Sequence, residues 1–295
     1  MRGLPFEYSE ICPGGAAKRL LSGISLQSCL SWRMVAVALA AVLPAAWSAA
    51  TPMMAEPVPT QVFETSAGPV KITPIYHACA TIKAGGDTIY IDPAYPANIS
   101  GLRPADLILI TDIHPDHLDA ADIAVLSDQH TEIVAPAAVQ ATVKRAKVLS
   151  NGQSLQWRGW KITAVAMYNI HHLMPNGTPY HPKGRGNGYV LSYGGKNFYF
   201  AGDTEGTPEM RALRNIDVAF VPMNLPYTMS PEEAAAAVKA FRPKIVIPYH
   251  YRGQDPRLFA DALRGTGIEV RLLDWYSNAA PGAQLPQASA HSEKR

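Results

Sequence analysis

The sequence predicts an α/β protein with mixed β-sheets. Segments rich in β-branched and aromatic residues alternate with capped helical segments through most of the chain. One of them, at 106–111 (DLILIT), centres on a continuous apolar run, which is typical of a strand buried on both faces. The chain has 295 residues, 47% of them hydrophobic, which is enough for one sizeable core and does not require a second domain.

Strands are predicted where β-branched and aromatic residues cluster between turn residues. In chain order these segments are 70–75, 80–84, 88–91, 106–111, 133–135, 161–166, 189–193, 197–201, 218–221, 245–248 and 270–273. Gly85-Gly86-Asp87 and Gly194-Gly195 are typical of tight hairpin turns. We therefore expect the strands on either side of each turn to pair.

Helices are predicted where a capping residue precedes a segment with helical periodicity. In chain order they are 119–126, 137–145, one that begins after Thr207, 230–241 and 258–264. The clearest start is Ser230-Pro231-Glu232-Glu233, which has the residues of a capping box and a proline in the first turn. This order of elements fits two sheet-forming halves, each with helices on its outer side.

The N-terminal residues have the features of an export signal. Residues 34–50 (MVAVALAAVLPAAWSAA) form an apolar run that follows basic residues and ends in small ones. The run contains Pro44 and is near the lower length limit for crossing a bilayer, which disfavours a permanent membrane span. We predict a leader at 1–55 that is cleaved near Ala50 or Ala55, a folded domain at 56–278 that is periplasmic or secreted, and a flexible tail at 279–295.

Composition argues against some classes of partner and of covalent structure. The formal net charge is +2 and no long basic run is present, so nothing indicates nucleic acid as a partner, and a small-molecule substrate is expected. The oligomeric state is left open. Cys12 and Cys29 lie in the leader, so Cys79 is expected to be a buried free thiol of the mature chain.

A dense group of metal-ligand residues directly follows the buried strand. The segment 112–117 (DIHPDH) contributes two carboxylates and two imidazoles, from Asp112, His114, Asp116 and His117. Loops at the carboxyl ends of such strands are where α/β proteins place their sites. Four such groups in six residues can surround a cation, whereas they could not be buried together without one.

Two more residues of the same kind stand at strand exits. Asp203 follows the strand at 197–201, and His250 follows the strand at 245–248. A single Asp at a strand end usually caps a helix or fixes a turn. That explanation needs several coincidences for the whole set, so the sequence predicts that the three strand exits converge on a metal centre.

These motifs resemble, in their order and spacing, the metallo-β-lactamase superfamily, and more closely its ascorbate-6-phosphate-lactonase-like branch. The stretches that carry the resemblance, which covers roughly 71–273, are 91–93, 111–118, 181–184 (HPKG), 202–205 and 248–251 (PYHY). The resemblance implies a four-layer αβ/βα sandwich with two mixed β-sheets. It also implies a hydrolase in which bound metal ions activate the attacking water.

The resemblance further implies the ligands. One ion would be held by Asp116, His117, Asp203 and His250. Asp203 would also bind a second ion, held by Asp112 and His114, and Asp116 would act as the catalytic carboxylate that orients the water. The family pattern has a His where Asp112 stands, and a carboxylate shifts the preference from zinc toward manganese or iron. One or two divalent ions are expected, with zinc favoured and manganese or iron as alternatives.

A further His of the family pattern has several candidates in the long loop at 169–188. Asn169 stands where a His often stands, and His171, His172 and His181 follow. We favour His181, because it lies in the HPKG stretch just before the next strand. A loop of this length is typical of a lid over a site. Substrate contacts are expected from Lys183, Tyr227 and Tyr251.

The reaction class implied by the resemblance is hydrolysis of a lactone, an ester or a phosphodiester, and the fold does not choose among them. A phosphodiesterase similar to N-acyl-phosphatidylethanolamine phospholipase D is an alternative that requires an apolar groove. A metal-binding relative without turnover is a second alternative. The presence of both Asp203 and His250 favours an enzyme, whereas Asp112 disfavours β-lactam hydrolysis.

Overall fold

Residues 60–283, which the computed structural model describes, form two seven-stranded β-sheets with helices on their outer sides. The predicted leader at 1–55 and the greater part of the predicted tail, 284–295, lie outside the described residues. Within 60–283, none of the helices combines the length and the apolar character that crossing a bilayer requires.

The first sheet is built by the first half of the described chain, with its strands in sequential order. These are β1 (Gln61–Phe63), β2 (Val70–Tyr76), β3 (Cys79–Ala84), β4 (Asp87–Ile91), β5 (Leu107–Leu109), β6 (Glu132–Ala135) and β7 (Lys147–Val148). β1 to β4 pair antiparallel, and β4 to β7 pair parallel. The parallel strands are joined through α1 (Ala120–Val125), capped by Asp119, and through a 3-10 turn at Ala137–Ala141.

The second sheet repeats this arrangement with the second half. Its strands are β8 (Ser154–Trp157), β9 (Trp160–Met167), β10 (Gly186–Tyr193), β11 (Lys196–Phe200), β12 (Val218–Pro222), β13 (Ile245–Tyr249) and β14 (Glu269–Val270). β8 to β11 pair antiparallel, and β11 to β14 pair parallel. The helices here are α2 (Pro208–Arg211), α3 (Pro231–Phe241) and α4 (Pro256–Ala262), and α3 begins with the predicted capping box at Ser230.

The two sheets pack face to face across one apolar core. Phe63 of β1 meets Phe198 of β11 edge to face, with ring centroids 5.6 Å apart. The outer face of each sheet is covered by its own helices, for example by Ile123 of α1 and by Val238 and Phe241 of α3. The result is the layer order helix, sheet, sheet, helix, so the four-layer sandwich that the resemblance implied is confirmed.

Several predicted elements have different bounds in the structure. The helix expected at 137–145 is only the 3-10 turn Ala137–Ala141, which begins after Pro136 without a side-chain cap. The last strand, expected at 270–273, is Glu269–Val270, because its pairing with β13 covers two residues. β1, β7 and β8 were not predicted, since strands of two to four residues at a sheet edge have too short a pattern to recognise.

Two residues just after the predicted domain end at 278 make backbone contacts with the domain. Ala279 forms a bridge with Ala97, and the backbone N–H of Ala280 donates to the carbonyl of Pro96. The first residues of the predicted tail therefore pair with the domain, and the domain bounds stay a prediction.

Candidate metal centre

Four predicted ligands meet where β5, β11 and β13 end. The ligand atoms of this first group lie within 4.8 Å of one another and belong to Asp116, His117, Asp203 and His250. Nε2 of His117 is 3.2 Å from Oδ2 of Asp203, and Nε2 of His250 is 3.2 Å from Oδ1 of the same carboxylate. The donors of a tetrahedral ion with bonds of about 2.0–2.1 Å are roughly 3.3 Å apart. The spacing of the first group therefore fits one divalent ion.

Three atoms of the first group are buried without a hydrogen-bond partner among the described residues: Nε2 of His117, Oδ1 of Asp203 and Nε2 of His250. Nδ1 of His117 is 2.8 Å from the Asp92 carboxylate, which assigns its proton to Nδ1 and leaves a lone pair on Nε2. Buried polar atoms without a partner are costly. A cation between them satisfies all three, so these residues fit a metal ion.

The electrostatics of the first group favour a cation as well. Burial lowers the pKa of His117, but the carboxylates of Asp203, Asp116 and Asp92 outweigh this and raise it well above its ordinary value. Burial raises the pKa of Asp116 and of Asp203, but the neighbouring histidines hold both pKa values well below the usual range. The carboxylates therefore stay ionised, and the field that would hold a proton on His117 also attracts a divalent ion.

Left-handed backbone conformations occur at several residues of this site. Asp92 and His250 directly follow β4 and β13 and have left-handed φ values of 44° and 49°. Gly202, which precedes Asp203, has a φ of 66°, and a Cβ there would collide with Sδ of Met167. Strained residues of this kind concentrate at functional sites.

A second group lies beside the first and consists of Asp112, His114 and His181. Nδ1 of His114 is 3.1 Å from Oδ2 of Asp112 and 3.2 Å from Nε2 of His181. Nε2 of His181 is also 3.1 Å from Oδ2 of Asp203. Asp203 thus faces both groups, which is the bridging position that the resemblance implied for it.

His181 is the candidate of the long loop that the structure brings to the second group, and Asn169 orients it. Oδ1 of Asn169 accepts hydrogen bonds from the backbone N–H and from Nδ1 of His181, at 2.7 and 2.8 Å. The proton of His181 is therefore on Nδ1, and the lone pair of Nε2 faces the other ligands. The supporting role of Asn169 was not predicted, and its only sequence signal is its place where the family often has a His.

The buried carboxylate of Glu205 anchors the start of the same loop. It accepts the backbone N–H groups of Ile170, His171 and His172, at 2.7 to 3.1 Å. The imidazole of His172 turns outward to Glu233 on α3, at 3.1 Å. The structure therefore does not bring His172 to the ligand groups.

Arg185 pairs with Asp112, which the sequence did not predict. Its Nε donates to Oδ1 at 3.0 Å, and its Nη2 donates to Oδ2 at 2.8 Å. Asp112 is fully buried, so the guanidinium compensates a charge that water cannot reach. The available signal was the carboxylate itself, since a charged group in place of a neutral imidazole requires a compensating charge nearby.

His77 holds Asp116 in place. Its Nε2 is 3.2 Å from Oδ2 of Asp116, and its Nδ1 is 2.9 Å from the Tyr276 hydroxyl. Burial, together with the nearby His250, lowers the pKa of His77 to about 3, so the ring is neutral at neutral pH. With Tyr276 donating to Nδ1, the remaining proton of His77 is donated to Asp116.

The three predicted substrate-binding residues have different environments. Nζ of Lys183 is paired with Glu209 at 2.7 Å. The hydroxyl of Tyr251 donates to the carbonyl of Leu273 at 2.9 Å, so it is not directed to the ligand groups. Tyr227 is exposed and lies beside the ligand loop, since its carbonyl accepts from Nδ2 of Asn169 at 2.8 Å.

Known proteins resemble this chain in sequence and in fold. Residues 71–250 match the model of the Beta-lactamase superfamily domain. A metal-dependent hydrolase of Symbiobacterium thermophilum is 33% identical over 222 residues, which are 66% of this chain and 89% of the relative. Another from Methanopyrus kandleri is 28% identical over 221 residues, which are 69% of this chain and 96% of the relative.

Solved structures agree with this assignment. A protein of Parabacteroides distasonis, assigned as a metal-dependent hydrolase, is 39% identical with a TM-score of 0.70, and the match covers 73% of this chain and 98% of that protein. A metallo hydrolase of Ignicoccus hospitalis has the same fold, with a TM-score of 0.58 at 24% identity. The chain therefore belongs to the beta-lactamase superfamily, and it is a metal-dependent hydrolase of that superfamily.

Proposed function

We propose that this hydrolase cleaves an uncharged lactone or carboxylic ester that carries an apolar substituent, as a member of the lactonase-like branch. The observation that carries the proposal is the position of the two ligand groups, which share Asp203 next to exposed apolar side chains. Divalent ions bound there supply the Lewis acid that polarises a carbonyl and lowers the pKa of water. Zinc is the preferred ion, with manganese or iron as alternatives.

Asp116 is the proposed catalytic carboxylate. Its side chain is 35% exposed, whereas the other residues of its ligand group are buried, so it can reach both the ion and a water molecule from the solvent side. Its low pKa keeps it ionised, so it can accept a hydrogen bond that orients the attacking water. The hydrogen bond from His77 fixes Oδ2 and leaves Oδ1 for that water.

The surroundings of the ligand groups favour an apolar and uncharged substrate. Large apolar side chains that are 37–45% exposed lie on the loops next to the ligands, and they are Ile113, Ile170, Leu173, Leu225 and Tyr227. Two cations of the loop at 181–188 are already paired, Lys183 with Glu209 and Arg185 with Asp112. An anionic group of a substrate could bind either of these two cations only by breaking its ion pair.

A phosphodiester with a long acyl chain, as in N-acyl-phosphatidylethanolamine, is the second candidate substrate. The same exposed apolar residues favour it, because they would cover an acyl chain that a small lactone lacks. The two candidates differ at the reacting centre, where one offers a carbonyl and the other a charged phosphoryl group.

A panel of model substrates tests the proposal. We expect the metal-loaded enzyme to hydrolyse lactones and p-nitrophenyl esters, with kcat/KM rising with acyl length, and to turn over bis(p-nitrophenyl) phosphate slowly. Asp203→Ala and His250→Ala should abolish turnover, whereas the matched exposed variants Asp261→Ala and His130→Ala should retain it. Faster phosphodiester cleavage would select the second candidate. Equal turnover in all four variants, or bound metal without any turnover, would end the catalytic proposal.

A further inference from the structure

We infer that Arg185 is the positioning residue that makes Asp112 a ligand of a second metal ion. The Asp112–Arg185 pair then replaces one neutral imidazole, both in net charge and as a ligand. The inference rests on the proposed two-ion hydrolase site. It concerns the ion held by Asp112, His114 and His181, and not the ion of the first group.

The first step is the charge of the site. Asp112 adds a third carboxylate to the centre that already contains Asp116 and Asp203, and it is fully buried. A buried carboxylate without a partner is strongly unfavourable. The guanidinium of Arg185 adds one positive charge directly against it, so the pair as a whole has the charge of the neutral His that Asp112 replaces.

The second step is the geometry of Asp112. The planar guanidinium contacts both oxygens, at 3.0 and 2.8 Å, and this fixes the orientation of the carboxylate. Oδ2 is then held 3.1 Å from Nδ1 of His114 and 3.9 Å from Nε2 of His181. Nη2 of Arg185 is also 3.3 Å from Nε2 of His114, but its bond to Asp112 is shorter, so the carboxylate is its main acceptor.

The third step is the way the other ligands are supported. His117 is oriented by Asp92, and His181 is oriented by Asn169. Metal ligands characteristically have such an outer hydrogen-bond partner, and its loss weakens metal binding by about 10–100-fold. Arg185 is the corresponding partner of Asp112, and it differs from the others by supplying a positive charge.

The backbone keeps Arg185 at this distance from Asp112. Arg185 directly precedes β10, and the backbone N–H of Asn187 in β10 donates to the carbonyl of Thr111 at 2.9 Å. Thr111 is the residue before Asp112. The two charged residues therefore extend from neighbouring segments whose backbones are hydrogen-bonded to each other. Their pairing does not require either segment to move.

The test counts bound ions in the full-length protein. Purified wild type and the variants Arg185→Met, Asp112→His and Asp112→His/Arg185→Met are loaded with Zn²⁺ or Mn²⁺ and analysed by elemental analysis and competition titration. We expect two ions in the wild type. Arg185→Met should retain the tight ion and bind the second about 10–100-fold more weakly. Asp112→His alone should also lose the second ion, because the guanidinium then faces an imidazole.

The double variant separates positioning from general damage. Asp112→His/Arg185→Met restores a neutral ligand without an unpaired charge, so its second ion should return, with a preference for Zn²⁺ over Mn²⁺ that exceeds that of the wild type. Arg158→Met is the matched control, because Arg158 is also an arginine paired with carboxylates, those of Asp87 and Asp106, but at the opposite strand ends. Its ion count should remain two.

Three results would overturn the inference: one ion in the wild type, an unchanged affinity for the second ion in Arg185→Met, or a double variant whose affinity for the second ion falls by the combined losses of the two single variants. Failure of the proposed function looks different. In that case the ion counts follow the expected pattern, but the wild type hydrolyses none of the model substrates.

Discussion

Oδ2 of Asp92 lies 2.8 Å from Nδ1 of His117, and both side chains are fully buried. Thr111 donates to the same carboxylate from its backbone N–H at 2.7 Å and from its hydroxyl at 2.6 Å. Asp92 thus sets the proton of His117 on Nδ1 and directs the lone pair of Nε2 toward Asp203. The end of β4, which contributes no ligand of its own, therefore determines the geometry of the first ion site.

Asp92→Asn should weaken the ion held by His117. The amide keeps the shape of the side chain but removes the charge that makes His117 a strong ligand, so we expect an affinity loss of about 10–100-fold. Titration against a chromophoric chelator measures it. The matched control is Asp217→Asn, another buried carboxylate, which accepts the backbone N–H of Asn197 and pairs with Lys244. Equal losses in the two variants would contradict a specific role of Asp92.

Asn169→Ala should act on the second ion and leave the first in place. The substitution removes the acceptor for Nδ1 of His181, so the hydrogen bond that fixes the tautomer and the orientation of the imidazole is lost. Elemental analysis should find one tightly bound ion per chain. Asn197→Ala, whose side chain bonds Ser192 and Asn215 at the other strand ends, is the control that should retain both ions. Two tight ions in Asn169→Ala would show that His181 needs no such partner.

Cys79 should be unreactive in the folded protein. It is fully buried, and burial raises the pKa of its thiol well above the ordinary value, so the thiolate that reacts with disulfide reagents is not formed at pH 8. In a Cys12→Ser/Cys29→Ser background, Ellman's reagent should label about one thiol per chain in urea and none without it. Rapid labelling of the native protein would place Cys79 at an accessible surface.

The chain should be exported and processed. This proposal rests on the apolar run at 34–50 and its small-residue end. N-terminal sequencing of protein from the periplasmic fraction should find a mature chain that begins after Ala50 or Ala55. Full-length protein that keeps its leader in the cytosol would refute the proposal.

Local patterns predicted an α/β protein with mixed sheets and the strand exits at which Asp and His residues meet, whereas the four layers came from the resemblance. A buried apolar run such as 106–111 is recognisable without tertiary information, and the residues that follow it must lie at the sheet edge. Asp203 and His250 were found in the same way. The paired turns at 85–87 and 194–195 predicted which neighbouring strands form hairpins.

Other features depend on contacts that no local pattern contains. The partners of Asp112 and His181 are 73 and 12 residues away in the chain, and one of them, Arg185, reads as an ordinary loop charge. The left-handed conformations of Asp92 and His250 are imposed by the packing at the strand ends. β7 consists of two residues whose strand conformation is determined by their pairing with β6.

Anomalous X-ray diffraction at the absorption edge of the bound metal tests the central claim most directly. The account predicts a peak within about 2.0–2.2 Å of Nε2 of His117, Nε2 of His250 and a carboxylate oxygen of Asp203. A second peak is predicted between Asp112, His114 and His181. Crystals of metal-loaded protein in which neither position has a peak, or in which the metal binds elsewhere, would contradict it.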